Sequence, residues 1–480
     1  MRNSATWRSP RARLKKTVEI AVAKDQEVRR LLETVARNNQ VDLESIEQAL
    51  RAAVLSAGAS ILSELLAGIG SGRQQEPVLC NCGACMVSLG RKSKPLLTVL
   101  GEVSFSRSLF QCPVCKATRF PGDEQLDVVG TSRSPGLRRM MARAGSRSTF
   151  KEAQQDLAVY AGISVSAKDV ERVAEATGEA MELWDAHERC ALLEQPPEQP
   201  PGQPSPLFYV AMDGTGIPMV LPELQGRKGK QPDGSAKTRE AKLGCVFTQT
   251  TTDEEGRPVR DPDSTSFTGA IETAEVFGRR IYAEAVRRGL LFAEKVVVLG
   301  DGAEWIRNLV ELHFPQATQI VDLYHTREHV AALCKLLCAS DSNSERSLRL
   351  RWWKLLDRGQ IETITAQAAM LLPEDQKARA DALREIGYLE KNKERMRYAA
   401  FRAQGLFVGS GVIEAGCKTV VGQRLNNQAW NGRSEVPMLF TPCAVCSSPA
   451  EPRSSGLSEW HENPLLWRRP ARGRSFRAPG

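Results

Sequence analysis

Strand and helix signals follow one another in an order that predicts a multidomain α+β protein whose main domain is a mixed α/β sheet carrying helices. Three observations lead there. Two C-x-x-C pairs lie within a stretch of short β-type runs, residues 78–125. Apolar residues at helical spacing flank that stretch on both sides. Beyond a proline-rich segment, three strand-like runs precede an alternation of strands and helices, which is the order expected of a mixed sheet.

The 480 residues are enough for several domains. A net charge of +8, from 65 basic and 57 acidic side chains, permits a polyanionic partner without requiring one. Neither a charged-then-apolar leader nor an uninterrupted apolar run of about 18 residues is found, so no membrane association is expected and the expected location is cytoplasmic. Twelve cysteines in that setting read as thiols and metal ligands rather than disulfides.

In chain order, residues 1–16 form a basic tail rich in Arg, Ser and Pro, and 17–77 a helical region. Within the latter, Ile46, Leu50, Val54, Ile61, Leu65 and Ile69 approximate a helical stripe, with Asp42 as cap and Gly70 as stop, which reads as a packing or oligomerisation helix. The 78–125 stretch reads as a zinc-ribbon-like module. Cys82-x-x-Cys85 and Cys112-x-x-Cys115 are separated by 26 residues (112 − 85 − 1), and thiolates at such spacing can close a tetrahedral zinc site. Cys80 leaves the first knuckle open, because Cys80 and Cys82 could supply the pair instead. Cys190, Cys245, Cys334, Cys338 and Cys417 show no such pattern and are expected in packing. Residues 126–193 return to helical spacing, with FKEAQQDLAVY, AGISV and SAKDVERVAEATGEA reading as helix, turn and helix, the second capped by Ser166. Such pairs serve both DNA binding and plain packing. Prolines across 194–206 exclude a helix or central strand and mark a linker.

The main domain, 207–425, then runs as strands LFYVAM, KLGCVFTQ and STSFTG, a helix over 272–288, strand KVVVLG, a helix over 303–313, strand TQIVDL, and a helical stretch over 326–403. Asp213 ends the first strand and Asp301 the fourth, at the strand ends where open α/β sheets place their sites. Glu414 follows on a helix opened at Ser410. Three hard oxygen donors could hold Mg2+, or Mn2+ in its place, and a pair of such ions roughly 4 Å apart suits phosphodiester chemistry. Either Asp-Gly pair alone reads equally as a turn after a strand. A phosphotransferase using a D-x-D-G-T nucleophile is disfavoured, because the position two before Asp213 is Ala211.

The ordered set FYVAMDGTGIPM, KVVVLGDGAEWIRN, IVDLYHTREH and YLEKNKERMRYAAFRAQGLFVGSGVIEAGCKTVVGQRL resembles the ISKra-type insertion-sequence transposases, related to the Mutator-like DDE group, over roughly residues 75–425. The resemblance implies an RNase H-like catalytic domain with a helical insertion, 326–403, before the helix bearing the catalytic Glu. It implies that Asp213, Asp301 and Glu414 are the metal-binding acids of DNA strand cleavage and transfer. Asp322 and His325 match a D-x-x-H motif beside the site, where His325 would contact phosphate or hydroxyl, or pin the insertion. Lys418, four residues after Glu414, would touch DNA phosphate or pair with the carboxylate. The implied partner is double-stranded DNA with terminal inverted repeats, bound by a homo-oligomer at the nucleoid. A catalytically impaired remnant that only binds DNA is the alternative.

After Leu425 the resemblance stops, where the family continues with a pattern like S-G-M-x-W-T-V-R-G-A-N-A. The chain reads NQAWNGRSEVPMLF instead. One permitted codon choice for that peptide, read from its third base, gives SGMEWTVRGANAL. A frameshift near Asn426 or Asn427 is therefore expected, leaving 426–480 as a disordered tail with an accidental Cys443-x-x-Cys446 and impairing catalysis.

Overall fold

The computed structural model describes residues 43–69, 77–219, 221–226, 229, 236–338 and 341–422. The basic tail, the Asp42 cap, the Gly70 stop and the shifted-frame segment lie outside the described residues. Those described divide into two units, up to Thr177 and from Gly178, a boundary that falls within one helix.

In the first unit, α1 (Leu43–Ile69) meets strand β2 along a face of small residues. Ala53, Ala57 and Ala59 are buried with Leu66, whereas Leu50, Val54 and Leu65 of the expected stripe are 45–65% exposed. Alanines, with Gly58 against Leu100, let the helix axis come close to the strand, so the buried face is the small-residue one. By length and composition alone, Leu43–Ala67 is apolar enough to cross a membrane, contrary to the expectation from uninterrupted runs. Strands β1 (Val87–Thr98), β2 (Gly101–Gln111) and β3 (Thr118–Arg119) form an antiparallel meander. Leu96, Val103 and Phe105 fill its inner face. Four helices follow: α2 (Pro121–Gln125), α3 (Pro135–Gly145), α4 (Phe150–Ala161) and α5 (Ala167–Glu194). Helix α4 starts in a Thr149/Glu152 capping box and stops at Gly162, whose positive φ only glycine adopts easily. After the turn, Ser166 Oγ accepts the Asp169 amide at 3.1 Å, as its position predicts.

In the second unit, residues 195–206 carry no helix or strand. A five-stranded mixed sheet follows, built from β4 (Leu207–Pro218), β5 (Thr238–Gln249), β8 (Ser266–Ala270), β9 (Lys295–Gly300) and β10 (Thr318–Val321), in the order β10-β9-β4-β5-β8. The first three are antiparallel neighbours, and β9 and β10 join parallel to β4. Helix α6 (Leu221–Leu224) and the pair β6 (Thr251–Thr252) and β7 (Pro258–Val259) decorate the β4–β8 connections. Both sheet faces are buried, so β4 reads as a nearly continuous apolar run. Phe208, Val210 and Met212 face α7 (Ala274–Arg287) and α8 (Glu304–His313). Tyr209 and Ala211 face a helical layer of α9 (Leu323–Leu337), α10 (Ser342–Asp357), α11 (Ile361–Met370), α12 (Gln376–Asn392) and α13 (Tyr398–Ala403). Trp352 is fully buried in that layer, its Nε1–H donating to Gln367 Oε1 at 2.8 Å. Arg280 on α7, 6% exposed, is clasped by Glu272 and Glu182 at 2.8 and 2.7 Å, so a buried cation is matched by two carboxylates. The chain then reaches α14 (Gly411–Gly416) and a π-helical turn, Cys417–Gly422.

Candidate functional site

In the first unit, one ligand atom each from Cys80, Cys82, Cys112 and Cys115 lies within 4.8 Å of the others. This corrects the assignment of Cys85 as a ligand. Leu79 and Cys85 are cross-strand partners and both point to solvent, while Val78, Cys80 and Met86 alternate to the inside. The Cys80 amide donates to the Ala84 carbonyl at 2.9 Å, and the Gly83 amide closes back on the Cys80 carbonyl. That turn delivers Cys80 and Cys82, and leaves Cys85 on the outer face. Sγ–Sγ distances of 3.4 Å (Cys80 to Cys115) and 3.5 Å (Cys82 to Cys112) sit near the roughly 3.8 Å edge of a tetrahedral zinc–sulfur site. The Cys115 amide donates to Cys112 Sγ and lowers that thiol to about 6, favouring the thiolate a metal needs. These four thiols could hold zinc.

In the second unit, the strand register brings two of the three expected carboxylates near each other. Ala211 pairs with Leu299 across the parallel β4/β9 register. Carrying that offset two residues further sets Asp213 level with Asp301. Strand alternation turns Asp213 to the face of Tyr209 and Ala211, and that cluster includes Ile413 of α14. Burial raises the Asp213 carboxyl, opposed by a hydrogen bond from Cys417 and reinforced by the nearby Asp301 charge; the His325 imidazole also lowers it. The Cys417 thiol donates to Asp213 Oδ2 at 3.4 Å, so Cys417 belongs to the site rather than to packing alone. Cys245 and Cys334 are fully buried as expected, and Cys190 is exposed.

The Asp301 loop is held from two sides. Asp301 Oδ1 accepts the Ala303 amide at 2.9 Å, and Tyr388 OH donates to the Asp301 carbonyl at 2.8 Å. Gly302 has φ +82°, and a Cβ there would meet Tyr388 OH at 2.6 Å, so both conformation and space demand glycine. Glu414 is exposed on α14, and its Oε1 accepts from Ser410 Oγ at 3.2 Å. A Cβ on Gly416 would run into the Phe267 ring, and its absence lets α14 lie against the sheet.

Asp322, 2% exposed, links these pieces. Its amide donates to the Gly300 carbonyl at 2.8 Å, one residue before Asp301. Its carboxylate accepts the His325 amide at 2.6 Å, capping α9, and the Ser410 amide, at the start of α14. Leu323 N–H also donates to the Val408 carbonyl at 2.9 Å. Asp322 therefore positions the Glu414 helix and does not face the open end itself. His325 lies beside His329, Nε2 to Nε2 3.2 Å, and His329 Nδ1 meets Glu385 Oε2 at 2.6 Å. The H-x-x-x-H spacing on one helix face signals that pair in the sequence, whereas nothing local singles out Glu385. Lys418 is exposed in the π-helical turn after Glu414. Among the described residues, only the cysteines form a group of three or more ligands that close, and Asp213, Asp301 and Glu414 are not drawn together to that degree.

Helix α3, which precedes the segment expected as a helix-turn-helix, offers a basic edge. Arg139 and Arg143, exposed and one turn apart on α3, are followed by exposed Arg147 and Lys151.

No family model and no curated protein matches this chain. Among solved structures it is similar to the Drosophila P element transposase strand transfer complex, at 9% identity over 68% of this chain and 95% of that chain, with a TM-score of 0.30.

Proposed function

We propose that this chain is an ISKra-type DDE transposase, with an RNase H-like catalytic domain that cleaves and transfers DNA strands. One observation carries the reading: carried on from Ala211 and Leu299, the β4/β9 register sets Asp213, which lies inside β4 rather than at its end, level with Asp301 just past β9, and Glu414 follows on a helix packed against the same sheet. Those three carboxylates would hold Mg2+ or Mn2+, which would supply Lewis acidity and an activated hydroxyl for phosphodiester attack. The donor set fits such hard ions, being all oxygen and part-exposed. Around them the chain supplies positioning. Tyr388 and the Ala303 amide fix the Asp301 loop, Asp322 fixes the start of the Glu414 helix, and Lys418, exposed just after Glu414, would meet phosphate. A zinc-stapled cysteine module and the helix-turn-helix of α4 and α5, with the Arg139 and Arg143 edge of the preceding α3, would bind terminal inverted repeats, in a homo-oligomer on DNA.

Strand cleavage tests this, using DNA bearing the element's repeats with Mg2+, for the chain as given and for one with the frame restored after Leu425. Nicked and joined products from the restored chain are expected, with fewer from the chain as given. Salt-sensitive binding without cleavage by either would leave the remnant reading, and equal cleavage by both would remove the frameshift's effect.

A further inference from the structure

We propose that His325 and His329 together form a binding site for a divalent transition-metal ion, of the Zn2+ type, through their two Nε2 atoms. His329 Nδ1 lies 2.6 Å from Glu385 Oε2, and His325 Nδ1 lies 3.6 Å from Glu328 Oε2. A carboxylate accepts only, so His329 is drawn to the tautomer with its proton on Nδ1 and its lone pair on Nε2, whereas the His325–Glu328 distance is too long for a hydrogen bond. The two Nε2 atoms face one another at 3.2 Å, and with no metal between them His325 Nε2–H can donate to the His329 lone pair. A metal ion would take the place of that shared proton, with His325 moving to its Nδ1–H tautomer so that both Nε2 atoms become ligands.

The spacing suits a metal. Two zinc–nitrogen bonds of about 2.05 Å at a near-tetrahedral angle separate the nitrogens by about 3.3 Å and the ring centroids by about 5 Å. The rings here have centroids 4.9 Å apart and planes at 77°. Metal-binding histidines commonly donate their second ring N–H to a carboxylate, which fixes the ring and raises its basicity, and Glu385 stands at that place. Tyr388 stacks on His329 at 3.8 Å and 20°, holding the ring in its plane. The pair is reachable, with side-chain exposures of 38% for His325 and 25% for His329. Imidazole nitrogens select a borderline ion over Mg2+, so this site differs in metal preference from the oxygen donors Asp213, Asp301 and Glu414. Two protein ligands leave the remaining positions to water.

Chelator-treated, reduced full chain titrated with Zn2+ in equilibrium dialysis tests the site. Two classes are expected, a tight one at the cysteines and a weaker one at the histidines. His325→Gln or His329→Gln should abolish the weaker class and spare the tight one. Cys80→Ser with Cys112→Ser should do the reverse. Glu385→Gln should weaken the histidine class about 10- to 100-fold, and Asp213→Asn should leave it in place. A single class lost with the cysteines, a second class unmoved by both histidine substitutions, or one lost only with Asp213→Asn overturns the proposal. The unaltered chain provides a second measurement, independent of how the variants fold. Zn2+ should shield both histidines from acylation by diethyl pyrocarbonate, mapped by mass spectrometry, and equal modification with and without Zn2+ would overturn it as well.

Discussion

The cysteine cluster and the carboxylate end of the sheet are both candidate metal centres, yet their ligands are held differently. The four thiols lie within 4.8 Å of one another, delivered by tight turns, whereas the three carboxylates stand apart, with hydrogen-bond donors on their oxygens. Charge explains the contrast. Thiols can crowd around one thiolate, Cys112, and share hydrogen bonds with it, but ionised carboxylates at such distances repel. The first centre is a preformed cluster, and on the proposed reading the second is a set of acids that would need cations to close. Structural and catalytic sites should then respond oppositely to loss of metal.

The largest effect follows from that difference. Removing zinc, or replacing Cys112 with Ser, should unfold the module around β1 and β2, because structural zinc supplies about 10 kcal/mol or more of folding free energy. Limited proteolysis should show rapid cleavage within 78–125 while the sheet domain stays protected, and withdrawal of Mg2+ should leave both protected. Unchanged protection without zinc would break the comparison.

Within the second unit, Arg280→Met should destabilise the sheet domain by about 3–5 kcal/mol, since Glu182 and Glu272 would lose their buried cation. A urea titration would read this, and an unchanged midpoint would show the cluster to be dispensable. Asp322→Ala should cost about 1–3 kcal/mol by leaving the Ser410 and His325 amides unpaired. It should slow strand cleavage more than that loss of stability explains, because the Glu414 helix loses its anchor. Asp322→Asn, which keeps the acceptor oxygen, should recover part of the rate. Normal cleavage by Asp322→Ala would make the residue a helix cap alone. The smallest effect concerns DNA. Arg139→Ala with Arg143→Ala should lower the salt dependence of duplex binding by about two in log–log slope, if each meets one phosphate, and an unchanged slope would take that edge out of the interface.

Much of the second unit is legible in its sequence, because strong local signals agree there. Leu207 to Met212, Lys242 to Gln249 and Lys295 to Gly300 are apolar runs and each lies in a strand, the last at its expected limits, whereas β4 continues through Asp213 to Pro218 and β5 begins at Thr238 because the two pair across the segment read as a turn. Asp213, Asp301 and Glu414 could be singled out because each stands next to such a run or a helix start. What escapes is whatever depends on turn geometry or distant pairing. Cys80 replaces Cys85 because one hairpin's alternation decides which sulfurs face inward. Cys417 touches Asp213 across 204 residues, and Glu385 reaches His329 across 56. No local pattern records either. On α1, large side chains suggest one buried face and close packing by alanines selects another.

The central claim is that Asp213, Asp301 and Glu414 act as one metal-dependent unit. The most direct test replaces each with Ala in the frame-restored chain and measures Mg2+-dependent strand cleavage beside duplex affinity. Each single change should lower cleavage by about a thousandfold, a loss of about 4 kcal/mol, with affinity for the repeats nearly unchanged and the triple variant little worse than any single one. Cleavage surviving in any one variant would remove that residue from the site, and survival in all three would contradict the account.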